Sequence, residues 1–457
     1  MHHTWFGIVR SICVCATVGS LLTASFACVS TRDGLDREAL MDPAYCQNCH
    51  SEHYRQWSGS MHAYASDDPM FIAMNERLQR ETDGEAAGLC VGCHAPLAVR
   101  TGATVDGLNI RELPRRLRGV TCFFCHSVDA VAGDHNNQLH LADDGIMRGG
   151  HRDPMSTEAH SSMYSPLQDS NELGSSSLCG TCHDVVLPNG LQLERTFAEW
   201  RGSLFSKSGV GALSCSRCHL PGYDGPAADV VGAPNRRLHQ HQMPGIDMAL
   251  SAWPEGDDQR VKIERDLFPS VLTNVCVQPG AGGIEINVIV DNVFAGHAWP
   301  SGTTHARRAW VHLVAYSGGD VIFESGGVGA GDVVSQVDDP NLWLMRSKMF
   351  DGDGNEVVMP WQAASTESTL LPAAVTNDPA DPAYYHAKER VYTLSGASPD
   401  RVTMTLNMRP VGLDVVDSLI ASGDLAAAVR DRVQTLEITP ASVEWTADMG
   451  FGCVRNR

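Results

Sequence analysis

Five copies of one five-residue frame, Cys-x-x-Cys-His, constrain what this chain can fold into more than any other feature. They read CQNCH (Cys46, Cys49, His50), CVGCH (Cys90, Cys93, His94), CFFCH (Cys122, Cys125, His126), CGTCH (Cys179, Cys182, His183) and CSRCH (Cys215, Cys218, His219). With 19 histidines in 457 residues, roughly 4%, histidine after all five pairs by accident has odds on the order of one in ten million. Two cysteines three apart on a short helix bring their sulfurs together, the arrangement that forms thioethers with the two vinyl groups of one haem. The adjacent histidine then reaches the iron. The frames therefore imply five covalent haem c groups with His50, His94, His126, His183 and His219 as proximal ligands. A thiol redox pair accounts for one Cys-x-x-Cys, but neither for the trailing histidine nor for five copies. Structural zinc needs four ligands per site, so five pairs leave one over, and nothing in such a site calls for histidine at the next position.

The frames span a region of about residues 40–245, some forty residues per haem. That is too little chain for a conventional apolar core, so the porphyrins must form much of it, wrapped by short helices and loops. MDPAYCQNCHSEHYRQW predicts a helix capped by Asp42 with Pro43 at its first position, and DDPMFIAMNERLQRE repeats the device with Asp68 and Pro69. AGDHNNQLHLADDGIMRGGHRDP has no period and reads as loop.

After about residue 260 strict alternation takes over. IEINVIV (284–290) and RVTMTLNM (401–408) set apolar side chains on one face and Glu285, Asn287, Thr403, Thr405 and Asn407 on the other. RRAWVHLVAY, DVIFESG and TLEIT add strands, and VDSLIASGDLAAAVRDRV reads as an inserted helix. The expected architecture is two-part: a mainly helical and loop pentahaem cytochrome domain (40–245), followed by an all-β sandwich domain (260–457). Cys276 and Cys453 are the body cysteines outside the frames, and a disulfide between them is the economical reading, the alternative being two separate thiols.

Residues 1–27 carry one early cation, Arg10, then an apolar stretch with a small-x-small ending at Ser25-Phe26-Ala27, which reads as a secretory signal peptide. An uncleaved anchor, or a lipid anchor on Cys28, are the alternatives. Export to the periplasm, with a possible membrane or cell-surface tether, is the expectation. The formal charge of −20 argues against nucleic acid as a partner and leaves redox proteins as the expected donor and acceptor.

What fills the sixth position of each iron separates a wire from a catalyst. Beyond the proximal residues there are enough histidines to close all five irons. His62, His140, His160, His241 and His297 are the distal candidates. His53 shares a short helix with His50 and cannot reach the opposite face of that haem, while His239 and His241 alternate, so one of them faces inward. Met243 is a rival axial ligand. His305, His312 and His386 read as ordinary core or surface histidines. If one iron is open, Arg148, His151 and His135 are the candidates for steering a small substrate and supplying protons.

These residues resemble the cytochrome c-554 family, multihaem cytochromes related to hydroxylamine oxidoreductase. The resemblance rests on YCQNCHSEHYRQWSGSMHA, LCVGCHAP, GVTCFFCHSV, YSPLQDSNELGSSSLCGTCHD, LSCSRCHLP and GHAWPSGTTHARRAW, and covers most of residues 40–320. It implies a periplasmic electron carrier, in some members with one five-coordinate haem that engages nitrogen oxides, and adds weight to His62, His160 and His297 as distal ligands. This chain departs from it in having five frames rather than four and a β-domain, so the haem-by-haem ligand scheme does not transfer. Two functions remain open: a multihaem electron carrier, or an oxidoreductase acting on a small nitrogen or sulfur compound at one open haem. A third reading has structural haems and a β-sandwich that binds another protein.

Overall fold

Each frame occupies a single helical turn. In the computed structural model, which describes residues 34–209 and 211–456, the frames overlap the short helices Pro43–Gln47, Val91–His94, Cys122–His126, Ser176–Gly180 and Cys215–His219, with Cys49, His50, Cys182 and His183 just past the ends of theirs. The histidine amide bonds back to the carbonyl of the first cysteine in the first, second and fourth frames, at 2.8, 3.2 and 3.1 Å for His50, His94 and His183. That turn sets the two cysteines on one face. Asp42, Thr121 and Ser214 cap three of these turns by accepting from Ala44, Phe124 and Arg217 amides.

The single helix expected around the first frame is two. Pro43–Gln47 ends, and Ser51–Ser58 begins, on either side of His50, whose φ of −128° and ψ of 50° leave the helical region. The interruption frees the His50 side chain from the helix face. Pro69–Glu81 forms as one helix with Asp68 as its cap. The stretch expected to be loop contains two short ladders. Val128–Val131 pairs antiparallel with Leu139–Leu141, and Ile146–Gly149 pairs parallel with Ser161–Tyr164. Strands of three or four residues are too short to show a period, so periodicity carries no sign of them. The signal-peptide segment lies outside the described residues.

From Val271 onward the chain is built of β-strands. One sheet runs Lys388–Leu394, Gly283–Asn292, Val271–Gly280, Gly452–Arg455. The other runs Asp320–Ser325, Arg308–Ser317, Arg401–Arg409, Leu436–Glu437, with Trp343–Met345 and Val443–Thr446 added to its inner strands. Alternation decides which side faces in. Ile284, Ile286, Val288 and Val290 of one sheet share an apolar core with Val402, Met404, Leu406 and Met408 of the other, each side chain worth about 1.5–3 kcal/mol on full burial. Cys276 and Cys453 are register partners on adjacent strands and are disulfide-bonded. The Leu413–Ala421 helix leaves this sandwich and packs Val415, Val416 and Leu419 against Met70 and Ala73 of the Pro69–Glu81 helix. Arg80 reinforces the contact through both guanidinium nitrogens to Asp424, at 2.6 and 2.8 Å.

Candidate functional site

All ten frame cysteines and all five frame histidines line one cavity of about 2380 Å³. An ordinary small-molecule pocket holds about 300–1,000 Å³, so this space is built for several large groups or a very extended one. Thiols of different frames approach one another inside it. Cys46 contacts Cys122, Cys93 contacts Cys182, and Cys179 contacts Cys215. Cys125 lies close to both Cys179 and Cys182. The frames are therefore spatially ordered as first, third, fourth, with the second and fifth both meeting the fourth.

The imidazoles stand in facing pairs. Ring centres are 6.3 Å apart for His50 and His160, 6.1 Å for His62 and His183, 6.4 Å for His126 and His241, and 6.4 Å for His219 and His297. An imidazole nitrogen lies about 1.1 Å from its ring centre and metal–imidazole bonds run about 2.0 Å, so two imidazoles on opposite sides of one iron have centres about 6.2 Å apart. All four pairs match that spacing.

Nitrogen chemistry agrees. The Nδ1 atoms of His126, His219, His241 and His297 hydrogen-bond to the carbonyls of Arg148 (2.5 Å), Pro244 (2.9 Å), His239 (2.8 Å) and Ala298 (2.9 Å). A ring that donates from Nδ1 keeps its lone pair on Nε2, the tautomer that binds metal. Burial, helped by neighbouring imidazoles, pushes His50 and His297 down to about 4, and His62 and His241 to about 3, so all are neutral. His183 differs: burial pulls it down, but the Glu194 carboxylate 3.7 Å from its Nδ1 lifts it to about 9. Among the described residues, no three His, Cys, Asp or Glu side chains converge as a site for a bare metal ion. Two thiols beside one imidazole, repeated five times, fit haem c and not zinc.

Distant parts of the chain deliver the second member of each pair. Val120 N–H donates to the His62 carbonyl at 2.9 Å, and Gly119 (φ 71°) lets the strands pass, because a Cβ there would stand 2.8 Å from that carbonyl oxygen. His241 is held by its own N–H donating to Gln56 at 2.7 Å. His297 sits on a loop of the β-sandwich. Asn292 donates to its carbonyl at 2.7 Å, and the next amide, Ala298 N–H, donates to Glu199 of the Thr196–Gly202 helix at 3.0 Å.

The remaining candidates are placed differently. His140 does not join the cavity: its side chain is 67% exposed and bonded to Asp129 at 2.6 Å. It lies on the outward side of its short strand, which its position between frames does not disclose. His135 is likewise outside the cavity lining, paired with Asp134 at 2.8 Å. Arg148 lines the cavity, but its guanidinium is taken up by Asp144 (2.6 Å) and the Ile146 carbonyl (3.0 Å). Its backbone oxygen does the work, orienting His126. His151 lines the cavity beside Arg236. His239 has both nitrogens engaged, by Leu220 and Ser170, and the Nε2 of His53 is paired with the Tyr223 hydroxyl at 3.2 Å.

His94 stands apart. Its Nδ1 bonds to the Ala65 carbonyl at 2.9 Å, leaving Nε2 for the cavity. Among the described residues no imidazole faces it at the spacing of the other pairs. Its ring neighbour is Phe71, stacked at 4.3 Å and 7°. The residues around this end, Asp68, Glu194, Asp247, His305 and Arg307, were not singled out from the sequence for this site, and nothing in their local pattern marks them.

Residues 45–127, which hold the first three frames, match the family model for cytochrome c554 and c-prime. The chain resembles a multihaem cytochrome of that type. Its fold is similar to the crystal structure of a penta-heme cytochrome c552 from Thermochromatium tepidum, at 20% identity and a TM-score of 0.59, over 89% of this chain and 99% of that one. No curated protein matches. The β-sandwich is thus part of the shared fold, since the likeness extends over nearly the whole of both chains.

Asp68 gives this region a measurable pH dependence. Burial, with Asp247 adding to it, raises its carboxyl from 3.8 to about 7. Between those values the folded state holds a proton the unfolded state has lost, so stability falls as pH rises from about 4 to about 7 and then levels. Asp68→Asn keeps a helix-capping oxygen for the Met70 amide and removes the titration. The variant should match the wild type in urea midpoint at pH 4 and exceed it at pH 8. Parallel pH profiles for the two proteins would contradict this assignment.

Proposed function

We propose that this is an exported multihaem c-type cytochrome that carries five haem c groups and passes single electrons between redox partner proteins. The observation that carries the reading is the one cavity, lined by all five frames, in which four frame histidines face a second imidazole at 6.1–6.4 Å. Bound haem c supplies a reversible one-electron iron couple. The cysteine pairs would anchor each group, the paired imidazoles would hold four of the irons, and the closeness of the frames would set neighbouring groups side by side. Export is supported by the leader-like residues 1–27 and by the Cys276–Cys453 disulfide, a bond at home in an oxidising compartment. The net charge of −20 favours cationic or neutral redox partners over nucleic acid.

A second reading has one specific observation in its favour. Among the described residues no imidazole faces His94, so its iron would keep a position open to a small nitrogen or sulfur compound, and the protein would then be an oxidoreductase. Purification of the full chain from the periplasm tests both. Five covalent haems per chain are expected, with four low-spin irons and one high-spin iron in the ferric electron paramagnetic resonance spectrum. Fewer than five haems refutes the count, and five low-spin irons refute the open position.

A further inference from the structure

Glu194 is 9% exposed, lines the cavity and stands with Oε1 3.7 Å from Nδ1 of His183. A hairpin puts it there. Asn189 and Gly190, the latter at φ 84°, turn the chain, and the strand Gln192–Glu194 returns with Glu194 opposite Val185, two residues beyond the frame histidine. The Phe197 amide then donates to the His183 carbonyl at 3.1 Å, which ties the far side of the hairpin to the same residue.

The other frame histidines are oriented differently. His94, His126 and His219 aim the same nitrogen at the neutral carbonyls of Ala65, Arg148 and Pro244. Among the described residues, His183 is the one frame histidine with a carboxylate at ion-pair distance. Other charges close to it are already matched: Asp184 accepts from the Ala198 amide at 2.9 Å and pairs with Arg195 at 3.4 Å, and Arg307, which feels Glu194, is held by Asp247 at 2.7 Å. The fourth frame is also the junction of the array. Cys182 contacts Cys93, Cys179 contacts Cys215, and Cys125 lies close to both Cys179 and Cys182. A carboxylate beside a metal-bound imidazole favours the more positive state of the metal, by direct attraction and by accepting from the ring N–H, which makes the ring a stronger donor. Buried in the wall, it is screened far less than a surface charge.

We propose that Glu194 is a positioning residue that tunes this junction: acting through His183, it lowers the reduction potential of the iron held by His183 and His62 below those of the other three paired sites. The junction is then the last of the four to accept an electron. This rests on the multihaem reading set out above. Electrons would fill the outer groups first, and passage between the third frame and the second or fifth would cross the junction as its uphill step.

A stepwise redox titration of the full haem-loaded chain, followed by electron paramagnetic resonance, tests the proposal. The junction is identified as the low-spin signal that His62→Ala converts to high spin. In the wild type that signal should be the last of the four low-spin signals to vanish on reduction. Glu194→Gln keeps the shape of the side chain and removes its charge. With haem content unchanged, it should move the one-electron equilibrium of the junction about tenfold toward the reduced state, about 59 mV, and move the other three much less. Glu194→Asp, which keeps a charge, should shift the junction by less than Glu194→Gln does. If the junction is not the last to be reduced in the wild type, or Glu194→Gln leaves its midpoint in place or moves all four signals equally, the role of Glu194 is overturned and the multihaem reading stands. If Glu194→Gln loses the fourth haem, the order of reduction in the wild type decides alone. If the wild type has fewer than four low-spin irons, the imidazole pairing fails and the proposal with it.

Discussion

His297→Ala is expected to turn one low-spin iron into a high-spin iron that binds cyanide, leaving the other three facing pairs as they were. His297 stands 6.4 Å from His219 with its ring nearly parallel, its Nδ1 bonded to the Ala298 carbonyl and its Nε2 free. The loop around it is held by bonds the substitution does not touch, from Asn292 to the backbone of residue 297 and from Ala298 to Glu199. The site should therefore survive while losing its second nitrogen. Added imidazole, free to enter the vacated space, should return the low-spin signal. An unaltered ferric spectrum would mean that the iron at His219 takes its sixth ligand elsewhere. The effect amounts to one haem equivalent, and it originates in the β-sandwich rather than in the frame-bearing segment.

Arg409→Met should destabilise the β-sandwich by about 3 kcal/mol, the cost of leaving several buried acceptors without their donor. Arg409 is 0% exposed. Its guanidinium donates to the carbonyls of Asp332 (2.6 Å), Gly329 (3.0 Å) and Ala330 (3.3 Å) and to the Thr435 hydroxyl (3.0 Å), over the ring of Trp310. Methionine fills much of the volume but leaves those acceptors without a donor. A large drop in the urea midpoint is expected, and backbone amide exchange should speed up most across residues 329–332. Equal exchange in the two proteins would show that the loop is held by something other than this arginine.

Local chemistry and long-range packing are set by different residues in this chain. The five frames are local: a cysteine pair and the following histidine share one helical turn, so spacing alone conveys their chemistry. Alternation in 284–290 and 401–408 is local as well, because a strand with one face in a core must repeat every two residues, and those segments are strands with the expected apolar faces inward. The Asp42-Pro43 and Asp68-Pro69 starts were legible for the same reason, while the break at His50 was not, since it serves the direction of one side chain. Short ladders such as Ile146–Gly149 with Ser161–Tyr164 left no period to read.

The second member of each imidazole pair is set by tertiary contacts. His62 meets His183 across 121 positions and His297 meets His219 from another fold unit, so no local pattern could match them. His140 shows the converse: its position in the sequence suited a ligand, but its strand turns it toward solvent. By itself, then, the sequence determined the cofactor chemistry and the two-part architecture, because both reside in residues a few positions apart. Only the tertiary structure decided the order of the frames in space, the pairing of four frame histidines, and the isolation of His94 beside Phe71. Those depend on which distant segments pack together.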